Sequence, residues 1–304
     1  MQSKPYTQLN KYLRDRFGCR VQKITVDAGL TCPNRDGTIS TGGCIYCNDR
    51  GSGTGLANQM CIKEQLISGK ERLFRRYKAK KFLAYFQAHT NTYASLQHLK
   101  SLYDEALSVP GIVGLCIGTR PDCVSDEILD LLQSYNKKYL IWIEYGLQSI
   151  HDETLMRINR GHNSQSFTNA ITATKSRGIL TCAHLILGLP FETQNHIIQT
   201  ANAIAGLEID AVKIHLLYII KNTPMEKMYR SGQYKCLFPL QYADWVCDVI
   251  ERLPRKTIIQ RLTGDPHPHE LVAPTWSLNK HATLNLIHQR LVERKTFQGR
   301  IFRQ

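Results

Sequence analysis

Three cysteines lie close together early in the chain, within TCPNRDGTISTGGCIYCN (residues 31–48): Cys32, Cys44 and Cys47. Glycine, proline and short polar residues surround them, a composition that makes a loop rather than a helix or strand. Cys44 and Cys47 form a CxxC, a spacing at which two thiolates can curl around one metal or cluster, and Cys32 can add a third ligand. A closed zinc site wants four ligands, and no fourth lies nearby at a regular spacing. Three thiolates on a four-iron cubane would leave one iron open to a substrate or cofactor. Zinc with a distant fourth ligand such as His89 or His184, a redox CxxC and ordinary free thiols stay open on the cysteines alone. Tyr46, directly before the last cysteine, adds an aromatic wall. The chain has 10 cysteines. Cys116 and Cys182 sit in apolar runs and read as small core residues.

The elements that must hold this loop follow from the apolar periodicity. Apolar runs at 21–29, 81–87, 111–118, 140–146, 179–188 and 211–219 alternate with helical stretches, which gives six strands. The runs are continuously apolar, as expected of parallel strands covered on both faces. Ser125 is an N-cap, and Gly178 and Gly206 are helix stops. The fold class is parallel α/β, an open sheet or a barrel. Neither a GxGxxG nor a P-loop follows the first strand. The first strand leads instead into the cysteine loop, and each later strand ends in polar residues: QAHTNT, GTRPDC, EYGLQS, GLPFET and LYIIKNTP. Chemistry at one rim, where β/α barrels carry it, accounts for all of them together. Residues 261–280, RLTGDPHPHELVAPTWSLNK, look irregular. A last helix, HATLNLIHQRLVERK, precedes a basic tail.

The chain has 304 residues, 42% of them hydrophobic, enough for a full core. No apolar run approaches the ~20 residues of a membrane span, and the start lacks the apolar stretch of a signal peptide. A cytoplasmic protein with no membrane partner is expected. The net charge of +14 favours polyanions. KERLFRRYKAKK (70–81) and RLVERKTFQGRIFRQ (290–304) set basic residues beside aromatics, a combination suited to single-stranded RNA.

The motifs CPNRDGT…GGCIYC, GTRPDC, EYGLQS, NRGH, GLPFET and KIHLLY, in this order, resemble the radical S-adenosylmethionine (radical-SAM) superfamily. They are most similar to its short YhcC/YtqA-type family, related to the catalytic subunit of Elongator. The usual three residues between the first two cysteines are eleven here, a wide spacing found in the Elongator-like branch. The resemblance implies a partial (β/α)6 TIM-like barrel over 21–255 with a cluster loop at 29–55, an N-terminal extension (1–20) and a C-terminal extension with a basic tail (256–304). It implies a [4Fe–4S] cluster on Cys32, Cys44 and Cys47, and S-adenosylmethionine on the open iron, cleaved to a 5′-deoxyadenosyl radical that abstracts a substrate hydrogen.

It also implies a cofactor shell. Gln148 and Ser149 resemble ribose and carboxylate contacts, and Arg160 suits the cofactor carboxylate. Buried Glu144 needs a partner, either a cofactor amine or hydroxyl or an internal arginine. His184 stands where relatives carry an aspartate to the ribose. Leu187, Gly188, Leu189 and Pro190 would approach the adenine, and Tyr46 joins the same shell. Gln87 and Thr90 occupy the region of the methionyl amine, although the usual GGE is absent. Arg120 and Asp122 belong near cofactor or substrate, or form a surface turn pair. Lys213, His215 and Lys221 on the sixth strand could meet an anionic substrate group. Outside what the resemblance covers, Asp265, His267, His269, Trp276 and Lys280 could close the barrel mouth and touch substrate, or belong to a surface loop of prolines and histidines.

Elongator's enzyme modifies carbon 5 of the wobble uridine in tRNA. The chain has no room for an acetyltransferase domain, so the expected reaction is processing of an existing side chain, such as carboxymethylaminomethyl to aminomethyl. The expected partners are tRNA, an electron donor such as flavodoxin or ferredoxin, and a tRNA methyltransferase. The alternatives are a radical-SAM enzyme acting on a small metabolite or protein, and a non-catalytic zinc-containing RNA-binding protein.

Overall fold

A computed structural model describes residues 5–51, 56–57 and 59–302. In chain order the elements are α1 (Leu9–Phe17), β1 (Val21–Val26), α2 (Ile62–Tyr77), β2 (Lys81–Phe86), α3 (Leu96–Leu107), β3 (Ile112–Thr119), α4 (Asp126–Asn136), β4 (Leu140–Gln148), α5 (Asp152–Arg157), α6 (Ser164–Lys175), β5 (Leu180–Leu187), α7 (Gln194–Gly206) and β6 (Ala211–Leu216). There follow β7 (Ile219–Ile220), α8 (Pro224–Arg230), α9 (Pro239–Arg252), β8 (Ile258–Arg261), β9 (Leu271–Ala273) and α10 (Lys280–Glu293). Part of the expected loop at 29–55, residues 52–55, lies outside the described residues.

The main sheet has the order β1-β2-β3-β4-β5-β6-β8 and is parallel throughout, a curled partial barrel. The six expected strands are all present, and a seventh, β8, lies beyond the expected barrel limit at residue 255. Residues 261–280 are less irregular than their prolines suggest, because β9 pairs antiparallel with β7. The expected sixth run at 211–219 is thereby divided between two sheets.

Strand alternation sorts the side chains. In LIWIEYGLQ of β4, Ile141, Ile143, Tyr145 and Leu147 pack outward in the core shared with the helices, while Leu140 and Trp142 point into the barrel. Inside, Val21, Leu83, Cys116, Trp142, Cys182, Ala211 and Ile258 form an apolar floor, sealed by Leu13 of α1. Cys116 and Cys182 are fully buried, as expected of small core residues. Ser125 accepts from Ile128 N–H at the start of α4. No helix among the described residues is long and apolar enough to cross a membrane.

Candidate active site at the barrel mouth

Above the apolar floor lies a charged layer. Glu144, from the middle of β4, is completely buried. Its carboxylate accepts from Lys23 Nζ at 2.6 Å, from Lys213 Nζ, and meets His184 Nε2 at 3.0 Å. Burial alone would raise its pKa, but Lys213 and Lys23 hold it well below the carboxylate range. The partner expected from sequence was an arginine or a cofactor group, and the strands supply lysines from β1 and β6 instead. His184 is pushed down to about 4 by burial and by Lys213, so it is a neutral partner of Glu144. Glu144, Cys182 and His184 present ligand atoms within 4.8 Å of one another. With two ammonium groups already on the carboxylate, electrostatics oppose a further cation there.

This layer floors a cavity of about 960 Å³ whose walls include Cys32, Cys44, Cys47, Tyr46, Gln87, Thr90, Arg120, Gln148, Arg160, His184, His215 and His267. The three cysteines are free thiols. Arg160 is 7% exposed and sets Nη1 3.6 Å from Cys44 Sγ and Nη2 2.7 Å from Gly146 O. That approach explains Gly146, whose added Cβ would lie 2.6 Å from Arg160 Nη2. Asn34 Nδ2 donates to the same sulfur at 3.7 Å and to Asn159 O. Gly161, at φ +74, is needed because a Cβ would strike Asn34 Oδ1 at 2.5 Å. Burial opposes the charge of Arg160, but Cys44 and Tyr46 beside it hold it above its usual value. Burial, then Cys44, push the Cys47 thiol up to about 11.

The donor set fits a metal cluster. Three thiols line one cavity without a disulfide, Cys44 and Cys32 lie close enough to act on the charge of Cys47, and two N–H donors reach the Cys44 sulfur. Such thiols become thiolates against a strongly positive centre, and hydrogen bonds to sulfur then tune it. Thr90 Oγ1 and His215 Nε2 are buried on the same cavity with no hydrogen-bond partner, which fits a polar ligand.

The other expected site residues divide between the cavity wall and contacts outside it. Arg120 grips Asp122 in a bidentate pair, at 2.9 and 2.7 Å, and braces Arg160 O at 2.7 Å. Ser149 is buried against Glu192 at 2.5 Å and caps His151 N–H. Gly188 O accepts from Tyr234, away from the cavity wall. Lys221 is exposed after β7 rather than on the sixth strand. His267 reaches the mouth, whereas His269 is exposed outside the lining. Trp276 packs on Tyr242, donates to Leu237 O at 3.2 Å and lies outside the cavity lining. Lys280 ties Asp265 of the rim at 2.5 Å. Sequence reasoning missed Lys23, Tyr85, Asn34, Gln260 and Arg261. Lys23 carried a signal, a lone lysine in an apolar strand, because such a charge demands a buried partner.

The description "Radical SAM superfamily" matches residues 36–204, more than half of the chain, and "Radical_SAM C-terminal domain" matches 209–293. The chain belongs to the radical-SAM superfamily. Within it, the radical-SAM chain is 38% identical to YtqA of Bacillus subtilis over 99% of its own length and 94% of that protein. It is 26% identical to Elongator complex protein 3 of Schizosaccharomyces pombe, over 50% of this chain but 28% of that one. The solved structure of archaeal Methanocaldococcus infernus Elp3 superposes with a TM-score of 0.71 at 18% identity, covering 91% of this chain and 64% of that one. The YhcC/YtqA-type family and its relation to Elongator stand on these matches, as does the partial-barrel fold. Members of the superfamily use a [4Fe–4S] cluster and S-adenosylmethionine.

Proposed function

We propose that this radical-SAM enzyme holds its cluster on Cys32, Cys44 and Cys47 and modifies the C5 side chain of the wobble uridine of tRNA, converting carboxymethylaminomethyl to aminomethyl. Hydrogen abstraction from the carboxymethyl carbon and loss of one further electron, with S-adenosylmethionine as the net oxidant, would give an imine that water hydrolyses to the amine and glyoxylate. When bound, the reduced cluster supplies one-electron cleavage of S-adenosylmethionine, and hence a 5′-deoxyadenosyl radical for hydrogen abstraction. The chain's own residues position and shield. Arg160 and Asn34 donate to Cys44, Gln148 and Thr90 offer polar contacts at the rim, and the apolar floor excludes water from below. The electron donor is a flavodoxin or ferredoxin, and a tRNA methyltransferase is the natural consumer of the amine product. The working compartment is then the cytoplasm.

One observation carries the tRNA reading. Gln65, Ser68, Gly69 and Arg72 of α2 line the cavity at helical spacing, and Arg75 and Arg76 continue that stripe outward, exposed. A cationic track thus leads from the surface to the mouth, as a polyanion entering a site requires. The test is nucleoside mass spectrometry of tRNA from a deletion strain, paired with 5′-deoxyadenosine formation by reconstituted enzyme with and without tRNA. Accumulated carboxymethylaminomethyl uridine and tRNA-stimulated cleavage are expected. Unchanged wobble nucleosides overturn the reading.

A further inference from the structure

The arginines that line the cavity differ in how their charges are satisfied. At the cysteine end, four are engaged: Arg35 with Asp49, Arg50 with Glu270, Arg120 with Asp122, and Arg160 with Gly146 O and Cys44. Arg72 of α2 and Arg261 of β8 also line the cavity and, among the described residues, make no hydrogen bond or ion pair, but Arg72 is exposed to solvent whereas Arg261 is half-buried. Its orientation is built. The β6–β8 register runs Ala211 to Ile258 and Val212 to Ile259, then jumps from Lys213 to Arg261. The jump skips Gln260, and such a bulge re-aims the next side chain. Arg261 thereby comes beside Lys213.

No carboxylate that lines the cavity is left for Arg261: Glu144 is held by lysines, Asp265 by Lys280 and Glu270 by Arg50. Lys23, Lys213 and Arg261 are three cations against one buried carboxylate, Glu144, whose oxygens Lys23, Lys213 and His184 already occupy. Gln260 spends its Oε1 on Lys23 at 2.6 Å, and its buried Nε2 has no partner. His215 lines the cavity with a buried Nε2 that also has none. Burial, then the charge of Arg261, keep His215 neutral, with its pKa well below the usual range. An enclosed excess of positive charge and unsatisfied nitrogens is costly until an anion joins it. A guanidinium selects a planar, two-oxygen partner.

We propose that Arg261, with His215 beside it and Gln260 and Lys213 behind, is a subsite for the carboxylate of the substrate. This rests on the wobble-uridine reading and deepens it: the group recognised is the one the reaction removes, so the site would discriminate substrate from product. The cofactor's own carboxylate is the competing occupant, and it belongs with the cysteine end.

The test uses reconstituted holoenzyme labelled with phenylglyoxal, with Arg261 modification quantified by peptide mass spectrometry. Four conditions are compared: no addition, S-adenosylmethionine alone, an anticodon stem-loop bearing carboxymethylaminomethyl uridine, and the same stem-loop bearing aminomethyl uridine. Labelling should fall about tenfold, the scale of a charge-assisted pair, with the carboxylate stem-loop only. Equal protection by both stem-loops, protection by neither, or protection by S-adenosylmethionine alone overturns the subsite. A second measurement is the KM for the carboxylate stem-loop. Arg261→Gln should raise it about tenfold or more, and Arg261→Lys should recover part of the loss; equal KM values for wild type and Arg261→Gln overturn the proposal. Unchanged tRNA nucleosides with Arg261 still protected would remove the wobble-uridine activity alone. Altered nucleosides with Arg261 unprotected would remove this subsite alone.

Discussion

Residues 70–81 and 290–304 are alike in composition, each setting arginines and lysines beside aromatic rings, yet the fold treats them oppositely. On α2, Arg72, Arg75, Arg76 and Phe74 are exposed, and among the described residues their one acidic contact is Arg75 to Glu71 at 4.0 Å. On α10 and beyond, Arg290 pairs with Asp244 at 2.8 Å and Glu293 at 2.5 Å, while Arg294 bonds Asp248 at 2.7 Å and Glu251 at 3.0 Å. The tail then turns back: Gln298 donates to Pro254 O and Thr257 O and accepts from Thr7 N–H, tying the segments at Thr7 and Gln298 to the loop before β8. Phe297 lies under Arg255 rather than being offered to a base. Basic composition alone therefore does not mark an RNA surface. The acids across from it decide, and α9 supplies them to α10.

Four measurements test this contrast. The largest effect is expected on stability at α10. Arg294→Leu strands Asp248 and Glu251, which are 4% and 7% exposed, and should cost about 3 kcal/mol in urea unfolding while leaving the salt dependence of tRNA binding unaltered. A lower salt slope in that variant would place α10 on the RNA.

The barrel interior obeys the same rule of neutralised cations and can be read by pH. His184 has its pKa depressed to about 4 from 6.5, so its stabilisation is complete above about pH 6.5 and is lost as pH falls toward 4. Unfolding midpoints for wild type and His184→Gln at pH 7 and 4.5 should converge at the acid end by about 2 kcal/mol. A constant difference would mean that His184 is not held neutral by burial and Lys213.

At α2 the expectation reverses. Arg72, Arg75 and Arg76 changed together to Gln should leave stability within ~0.5 kcal/mol of wild type. They should lower the slope of log affinity against log salt by about 2 and weaken tRNA about thirtyfold at low salt. An unchanged slope would reduce the track to a solvated helix face. The smallest effect belongs to Phe74→Ala, about fivefold on tRNA affinity and independent of salt, because stacking rather than charge is removed.

Much of the barrel was legible beforehand because parallel strands announce themselves as apolar runs between amphipathic helices. The cysteine loop and the polar strand ends were legible for a related reason, since each breaks an apolar pattern at the same end of the sheet. Glu144 announced its need for a partner, but Lys23 lies 121 residues away in sequence and Lys213 lies 69 away. Nothing local links them. Ser149, Gly188 and Lys221 followed strands in sequence but left the rim in space, because one turn residue of difference decides which way a loop side chain faces. Gln148, at φ 73, shows how sharply the chain bends there.

The residues alone determined the first six strands of the barrel, that three thiols follow the first of them, and that the chain carries a large positive excess. These depend on side-chain type and short-range spacing. Which positive charges are free follows from the packing. The β6–β8 bulge turns Arg261 inward, strand order places two lysines on Glu144, and α9 quenches α10 while α2 keeps its arginines. Charge is a property of composition, but its availability depends on which distant carboxylate the packing brings within about 3 Å.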